Sequence, residues 1–388
     1  MIISPRIRNN ICLTAHPTGC AAEVKRQINF VKSGGLIKGT KSALIIGSST
    51  GYGLACRVAA AFGCGASTIG VFFEKEGSET RTGTPGYYNT KSFDAEAASA
   101  GLFSRSINGD AFSDELKHEA ISAIKEGPGK VDLVIYSLAS GVRVDPVDGV
   151  MYRSTLKPIG TDYKSRALDT MSGRIISMEI EPADEVEISN TVKVMGGEDW
   201  QRWIDALLDA DGLDKGVKTS AFSYIGPEVT RPIYRNGTIG RAKEDLEATG
   251  NRINDQLAER LGGSAFTSVN KALVTRAAAV IPAISLYISI LFKVMKDKNL
   301  HEGCIEQMDR FFRGLYGGKL KIDNEGRVRM DDLEMRTDVQ DEVNKIWNIV
   351  SDENIEELSD LRGYHSDFMQ MHGFEVPGVN YETDVETL

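Results

Sequence analysis

The sequence predicts an α/β protein, a parallel sheet with helices on both faces. Two observations carry this expectation. Over residues 42–140, short apolar or β-branched runs alternate with alanine-rich or amphipathic segments, as βαβ units do. The turn between the first run and the first such segment is dense in glycine.

The first strand is SALIIG, residues 42–47, an apolar run closed by glycine and read as buried. GLACRVAAAFG follows as helix. STIGVFFE, 67–74, is a second strand with β-branched and aromatic residues. A polar loop through GSETRTGTPGYYNT leads on, SRSINGD (104–110) ends a third strand, and SDELKHEAISAIKEG is an amphipathic helix capped by Ser113. VDLVIYSLAS, 131–140, is a fourth strand. Residues 141–197 break the alternation and read as a small antiparallel, irregular insertion. EDWQRWIDALLDADG returns to helix, VKTSAFSYIG (217–226) is a fifth strand, RAKEDLEATGNRINDQLAERLGG a long helix and AFTSVN a sixth strand. The tail, 296–388, reads as a mostly helical extension with a short hairpin around LKIDNEGRVRM. With no repeat or linker, residues 1–388 are expected to form one domain.

Composition narrows the function. The formal charge is −10, which argues against nonspecific nucleic-acid binding, since that needs a basic footprint. Cys12, Cys20, Cys56, Cys64 and Cys304 are odd in number and fit no zinc spacing, so free thiols in a reducing cytoplasm and no metal are expected. Arg6 and Arg8 precede no apolar core of signal-peptide length. The most apolar stretch, AAAVIPAISLYISILF (277–292), is shorter than the ~20 residues that span a bilayer, so it reads as a buried helix.

The glycine turn reads GSSTGYG, with Gly47, Gly51 and Gly53. This is G-x-x-x-G-x-G, not the commoner G-x-G-x-x-G. The physical logic is shared: glycines allow a tight turn and close backbone approach to a pyrophosphate held at a helix N-terminus. No Lys-Ser/Thr pair follows, so a triphosphate P-loop is not expected. Together with the strand before it and the helix after it, the turn makes the expected sheet Rossmann-type. Glu74 ends the second strand about 20 residues beyond the loop, where a carboxylate accepts adenosine ribose hydroxyls and repels a 2′-phosphate. It argues for NADH over NADPH. Asp110 and Ala111 end the third strand, where an aspartate can bond an adenine amino group. Leu138 and Ala139 end the fourth, with small side chains under the cofactor.

YRNGTIGRAK, 234–243, sets a tyrosine nine positions before a lysine. A tyrosine hydroxyl can donate to a developing oxyanion, and a lysine ammonium beside it favours tyrosinate and can bond a ribose. At ~100° per residue, nine residues put the two on opposite faces of one helix. Asn236-Gly237 and Gly240 supply a break. Tyr234 is therefore expected on a loop or first turn, and Lys243 in the early turns of the helix that follows. Tyr224, at the end of the fifth strand in SYIGPE, is a rival oxyanion donor that spacing does not rank against Tyr234.

These motifs, with FEK, GDAFSDE, YSLAS, KVMGGEDW, SVNKALVTRA, HEGCIEQ, RNNICLTAHPTGC and DLRGYHSDF, resemble the NADH-dependent trans-2-enoyl-CoA reductases. That family is also called the type V enoyl-acyl-carrier-protein reductases. The resemblance covers nearly the whole chain. It implies a short-chain-dehydrogenase-like core and a cytoplasmic, monomeric enzyme that reduces enoyl-CoA or enoyl-acyl-carrier-protein with NADH. It implies that Gly47, Ser48, Ser49, Thr50, Gly51 and Tyr52 hold the pyrophosphate, and that Phe73 and Glu74 take the adenosine end. Asp110 and Ala111 would take the adenine, with Leu138 and Ala139 on the nicotinamide side. Tyr234 would be the proton donor, Lys243 would bind the cofactor, and Leu273, Val274 and Thr275 would close over the nicotinamide. Tyr224 would contact the substrate thioester. The helix from Ile281 to Phe292 is the best candidate for an acyl-chain wall, with core packing as its other reading. Arg276 and Lys293 flank it as unassigned cations. Two rivals stand beside this reading: a reductase of 3-oxoacyl thioesters with the same pair, and an NADH sensor without chemistry.

Overall fold

The computed structural model describes every residue except Asn9, Asn10, Met171 and Val280, and every side chain of the described residues except those of Pro282 and Ala283. The last three positions fall within the apolar stretch 277–292, and what was expected of them lies outside the described residues.

The centre is a seven-stranded sheet. Its strands are β1 (Ser42–Ile46), β2 (Ser67–Phe72), β3 (Ser104–Asn108), β4 (Val131–Tyr136), β5 (Leu213–Ser223), β6 (Ser264–Val269) and β7 (Val328–Arg329). They run parallel in the order β7-β6-β5-β4-β1-β2-β3. The order reverses between β1 and β4, and a sheet of this kind leaves a crevice at the carboxyl ends of those strands.

The apolar run of β1 is buried at all five positions because both faces of the sheet are covered. Leu44 and Ile46 point into one core and Ala43 and Ile45 into the other, as strand alternation requires. The first core is closed by α4 (Asp114–Glu126), α6 (Glu198–Asp209) and α7 (Thr238–Leu261). In α6, Trp200, Trp203, Ile204 and Leu207 fall on one helical stripe and are fully buried. The second core is closed by α1 (Pro17–Ser33), α2 (Gly51–Val58), α3 (Pro85–Ser99) and α9 (Cys304–Gly317).

A third core lies beside the sheet. There α8 (Pro282–Asp297) packs against α10 (Thr337–Ile349), α11 (Ile355–Leu358) and α12 (Leu361–Gln370). This is the destination of the most apolar stretch of the chain. Among the described residues, no helix is long and apolar enough to cross a membrane.

The structure differs from the sequence reading in four places. Helix α1 was not anticipated; its N-cap is His16, whose Nδ1 accepts from the Gly19 amide at 3.2 Å, an uncommon cap. The loop expected through Thr90 ends at Thr84, because Pro85 opens α3. The insertion 141–197 holds two antiparallel hairpins, Val142–Val144 with Met151–Arg153 and Tyr163–Asp169 with Arg174–Ile180, but also the helix α5 (Glu185–Met195). Asp184 and Glu187 form its capping box. The hairpin expected around 320–330 shrinks to one antiparallel bridge, Ile322 to Val328. Val328 and Arg329 instead join the main sheet as β7, beside Ser268 and Val269.

Candidate active site

Two cavities with shared walls open along the carboxyl edge of the sheet, at the reversal between β1 and β4. The larger, about 710 Å³, is walled by Gly47, Ser49, Thr50, Gly51, Tyr52, Phe73, Glu74, Asp110, Ala111, Leu138, Ala139 and Thr275. The smaller, about 530 Å³, has Tyr224, Tyr234, Lys243 and Leu273 on its wall. Tyr52, Leu138, Ala139 and Thr275 belong to both. Two expected residues stand outside these walls. Ser48 turns inward and donates its hydroxyl to the Val71 carbonyl at 3.2 Å, while Val274 packs against apolar cores.

The glycine turn is set by close approach. Gly47 has φ +85°, and a Cβ there would lie 2.2 Å from the Ser137 carbonyl oxygen. A Cβ on Gly53 would lie 1.9 Å from the Gly47 carbonyl oxygen, so the first turn of α2 rests directly on the end of β1. Thr50 is the N-cap of α2, and its side chain makes no capping bond. The first-turn amides therefore remain directed at the cavity, where they and the helix dipole suit a phosphate.

Glu74 is buried at the end of β2. Its Oε1 accepts from Ser49 Oγ at 2.8 Å, and Arg276 Nη1 lies 2.6 and 2.8 Å from its two oxygens. Asn108 holds its backbone on both sides, accepting from the Glu74 amide and donating to its carbonyl. Arg276 thus reaches across the cleft from the segment after β6, a contact the sequence did not reveal. Asp110 lies in a tight turn in which Oδ1 accepts from the Phe112 amide at 3.0 Å.

Tyr234 lies in the turn before α7, and Lys243 in the second turn of that helix. Gly240 explains how the two share a cavity. A Cβ there would lie 1.9 Å from the Arg235 carbonyl oxygen and 2.6 Å from that of Tyr234, so the preceding turn folds back onto the helix. Lys243 Nζ donates to the Phe222 carbonyl at 3.0 Å. Burial drives its pKa down to about 8, with Glu247 pulling the other way. Burial pushes the Tyr234 hydroxyl up, which keeps it protonated at neutral pH. That hydroxyl makes no hydrogen bond among the described residues.

The Tyr224 ring stands edge-on to Tyr234, centroids 5.1 Å apart, and its hydroxyl donates to Glu334 Oε1 at 3.3 Å. Leu156 and Met195 from the insertion, and Ile281, Ile284 and Ile288 along one face of α8, supply an apolar stretch of the wall, beside polar groups that include Ser154, Thr155, Asn270 and Lys271. Other residues of α8, including Leu286, Tyr287, Ile290 and Phe292, fill the third core, so the helix packs as core and also lines the cavity. Glu334 lay in a polar tail that carried no signal. Arg276 had been noted only as an unassigned cation.

The arrangement combines a glycine turn at a helix N-terminus, a buried carboxylate after β2, a phenol with no hydrogen-bond partner among the described residues and a half-buried ammonium. Residues 81–316 match a family model described as the trans-2-enoyl-CoA reductase catalytic region, and residues 2–79 match the NAD(P)H binding domain of trans-2-enoyl-CoA reductase. The trans-2-enoyl-CoA reductase [NADH] of Ruminiclostridium cellulolyticum is 52% identical over 387 residues, covering 100% of this chain and 98% of its own. The enoyl-[acyl-carrier-protein] reductase [NADH] of Flavobacterium psychrophilum is 53% identical with the same coverage. The crystal structure of Treponema denticola trans-2-enoyl-CoA reductase in complex with NAD superposes with a TM-score of 0.95 at 51% identity, over 99% of this chain and 98% of that one.

A third model, described as an enoyl reductase FAD binding domain, matches residues 322–385. The residues there do not fit a flavin. Val339, Val343, Tyr364, Phe368 and Met369 are buried in apolar cores. No residue of 322–385 lines either large cavity. A cavity that the segment does line, through Phe368, Met371 and His372, measures about 240 Å³. Ligand pockets usually start at about 300 Å³.

Proposed function

On the premise that this chain belongs to the trans-2-enoyl-CoA reductase family, we infer that it reduces the C2=C3 double bond of trans-2-enoyl thioesters to the saturated acyl thioester, with NADH as cofactor. One observation supports the chemistry most directly: Tyr234, whose hydroxyl has no hydrogen-bond partner among the described residues, and the half-buried ammonium of Lys243 share the wall of one cavity beside the glycine turn.

When bound, NADH supplies the hydride that adds to C3. The turn from Gly47 to Tyr52 and the open first turn of α2 hold the pyrophosphate, with Phe73, Glu74, Asp110 and Ala111 at the adenosine end. Leu138, Ala139, Leu273 and Thr275 border the nicotinamide side, with Val274 packed behind them. Lys243 binds the ribose and lowers the cost of charge on Tyr234. Tyr234 donates to the thioester oxygen as negative charge develops there, and Tyr224 contacts the thioester. Ile281, Ile284 and Ile288 shape the acyl slot. C2 is then protonated and the saturated thioester leaves.

The deciding experiment follows NADH oxidation with crotonyl-CoA, beside acetoacetyl-CoA. Turnover of crotonyl-CoA alone is expected. Turnover of acetoacetyl-CoA instead would make the enzyme a ketoreductase, and NADH binding without turnover of either would favour a sensor. Running the crotonyl group on both carriers separates coenzyme A from acyl carrier protein.

Glu74 sets the cofactor preference in this reading. Glu74→Ala removes the ribose acceptor and frees Arg276 to meet a 2′-phosphate. The ratio of kcat/KM for NADH over NADPH is expected to fall about 10-fold or more, from the worth of charged hydrogen bonds. An unchanged ratio would remove Glu74 from that role. The chain is further read as a single-domain, cytoplasmic monomer; sedimentation at rising concentration should show one species near 42.4 kDa. A species whose mass grows with concentration would contradict it.

A further inference from the structure

We propose that Glu334 is a positioning residue that fixes the direction of the Tyr224 hydrogen bond and so reserves proton donation to the substrate oxygen for Tyr234. The inference rests on the enoyl-reductase reading above and concerns a residue outside both cavity walls.

Glu334 is fully buried in the turn before α10. It accepts three hydrogen bonds from three different parts of the fold. Oε1 takes the Tyr287 hydroxyl from α8 at 2.7 Å and the Tyr224 hydroxyl from beyond β5 at 3.3 Å. Oε2 takes the Ala272 amide, just after β6, at 2.8 Å. An ionised carboxylate can only accept, and a tyrosine hydroxyl has one proton. Tyr224 therefore points its proton at Glu334 and keeps only lone pairs for its other neighbours, the Thr230 side chain among them. Lone pairs repel a developing oxyanion. Tyr234, whose ring stacks edge-on against Tyr224, keeps its proton free.

Burial pushes the Glu334 carboxyl up to about 7; Lys271 from the segment after β6 and the donors from Tyr287 and Ala272 oppose the rise, and Asp331 from its own turn adds to it, so the acceptor-only carboxylate is the form above that value. Tyr224 and, from α2, Tyr52 also feel its charge.

The geometry fixes what an amide would do in its place. The Ala272 amide must still meet an oxygen, so in Glu334→Gln the carboxamide oxygen takes the Oε2 position. The NH₂ group then faces the two tyrosines and donates to them. Tyr224 receives where it used to give, and its proton is freed from Glu334 for a substrate oxygen in the cavity it lines, with Thr230 as the competing neighbour. Protonation of Glu334 acts in the same direction but only in part, because a single O–H on Oε1 faces either Tyr287 or Tyr224 and releases the Tyr224 proton only in the second case.

The test is a rescue. Crotonyl-CoA reduction is measured for the wild type, Tyr234→Phe, Tyr234→Phe/Glu334→Gln, and that double variant with Tyr224→Phe added. The double variant should exceed Tyr234→Phe by about 10-fold or more in kcat, since a redirected donor recovers part of an oxyanion term of 10²–10³. The added Tyr224→Phe should abolish the gain. A folded double variant that binds NADH and shows no gain overturns the proposal, as does a gain that survives loss of Tyr224. Should Glu334→Gln fail to fold, the pH profile of Tyr234→Phe alone decides: residual kcat should rise as pH falls through about 7, and a flat or opposite profile overturns it. An inactive wild type would overturn the enoyl-reductase reading and this inference with it, whereas an active wild type without rescue overturns this inference alone.

Discussion

Tyr234→Phe is expected to lower kcat for crotonyl-CoA by about 10²–10³-fold, the usual worth of one oxyanion donor. Its ring would stay where it is, edge-on to Tyr224 with centroids 5.1 Å apart. No protein hydrogen bond is lost, because the hydroxyl has no partner among the described residues. Thermal stability and NADH affinity should therefore remain close to wild type. The hydroxyl is needed only as charge develops on the thioester oxygen, so kcat and kcat/KM should drop together. A kcat within a few-fold of wild type would show that another group carries the proton.

Lys243→Met should act on both cofactor and rate. The ammonium donates to the Phe222 carbonyl and lies in the cavity wall with Tyr234. Methionine keeps much of its length but neither charge nor donors. Hydrogen bonds to charged groups are worth about 1.5–3 kcal/mol, so KM for NADH should rise by about 10- to 100-fold. The pH dependence gives a second reading of the same group. Its pKa falls from 10.5 to about 8 in the fold, so the ammonium is present below that value and lost above it. KM for NADH should rise in the wild type as pH passes through about 8 and stay flat in Lys243→Met.

Stability should move the opposite way. Between about 8 and 10.5 the unfolded chain binds the proton that the folded chain has lost, so this lysine makes stability increase with pH across that window. Lys243→Met removes the slope. If KM keeps its pH dependence in the variant, the titrating group is not Lys243.

Much of the scaffold could be read in the sequence because its signals are local. A parallel strand covered on both faces must be apolar throughout, and SALIIG and VDLVIY are. The spacing of Tyr234 and Lys243 was interpretable because Gly240 stands where a side chain would strike the Arg235 carbonyl. What escaped depends on distance along the chain. Arg276 meets Glu74 across 202 positions, and Glu334 meets Ala272 across 62. No periodicity encodes such meetings. Strand β7 escaped for a different reason: two residues are too few to display alternation, and the turn residues around them suggested a hairpin. Helix α5 hid in a segment whose β-branched runs pointed to strands, although its capping box was present in the sequence.

The placement of β7 and Glu334 also orders the protein's birth. A chain growing from its N-terminus presents the glycine turn, Tyr234 and Lys243, and then α8, before residues 328–334 exist. At that stage Ile284, Leu286, Ile290 and Leu291 have no α10 or α12 to cover them, and β6 is an open edge. The nascent polypeptide thus passes through an interval in which α8 is covered by the strand Tyr163–Asp169 on one side and open to water on the side that α10 and α12 later fill.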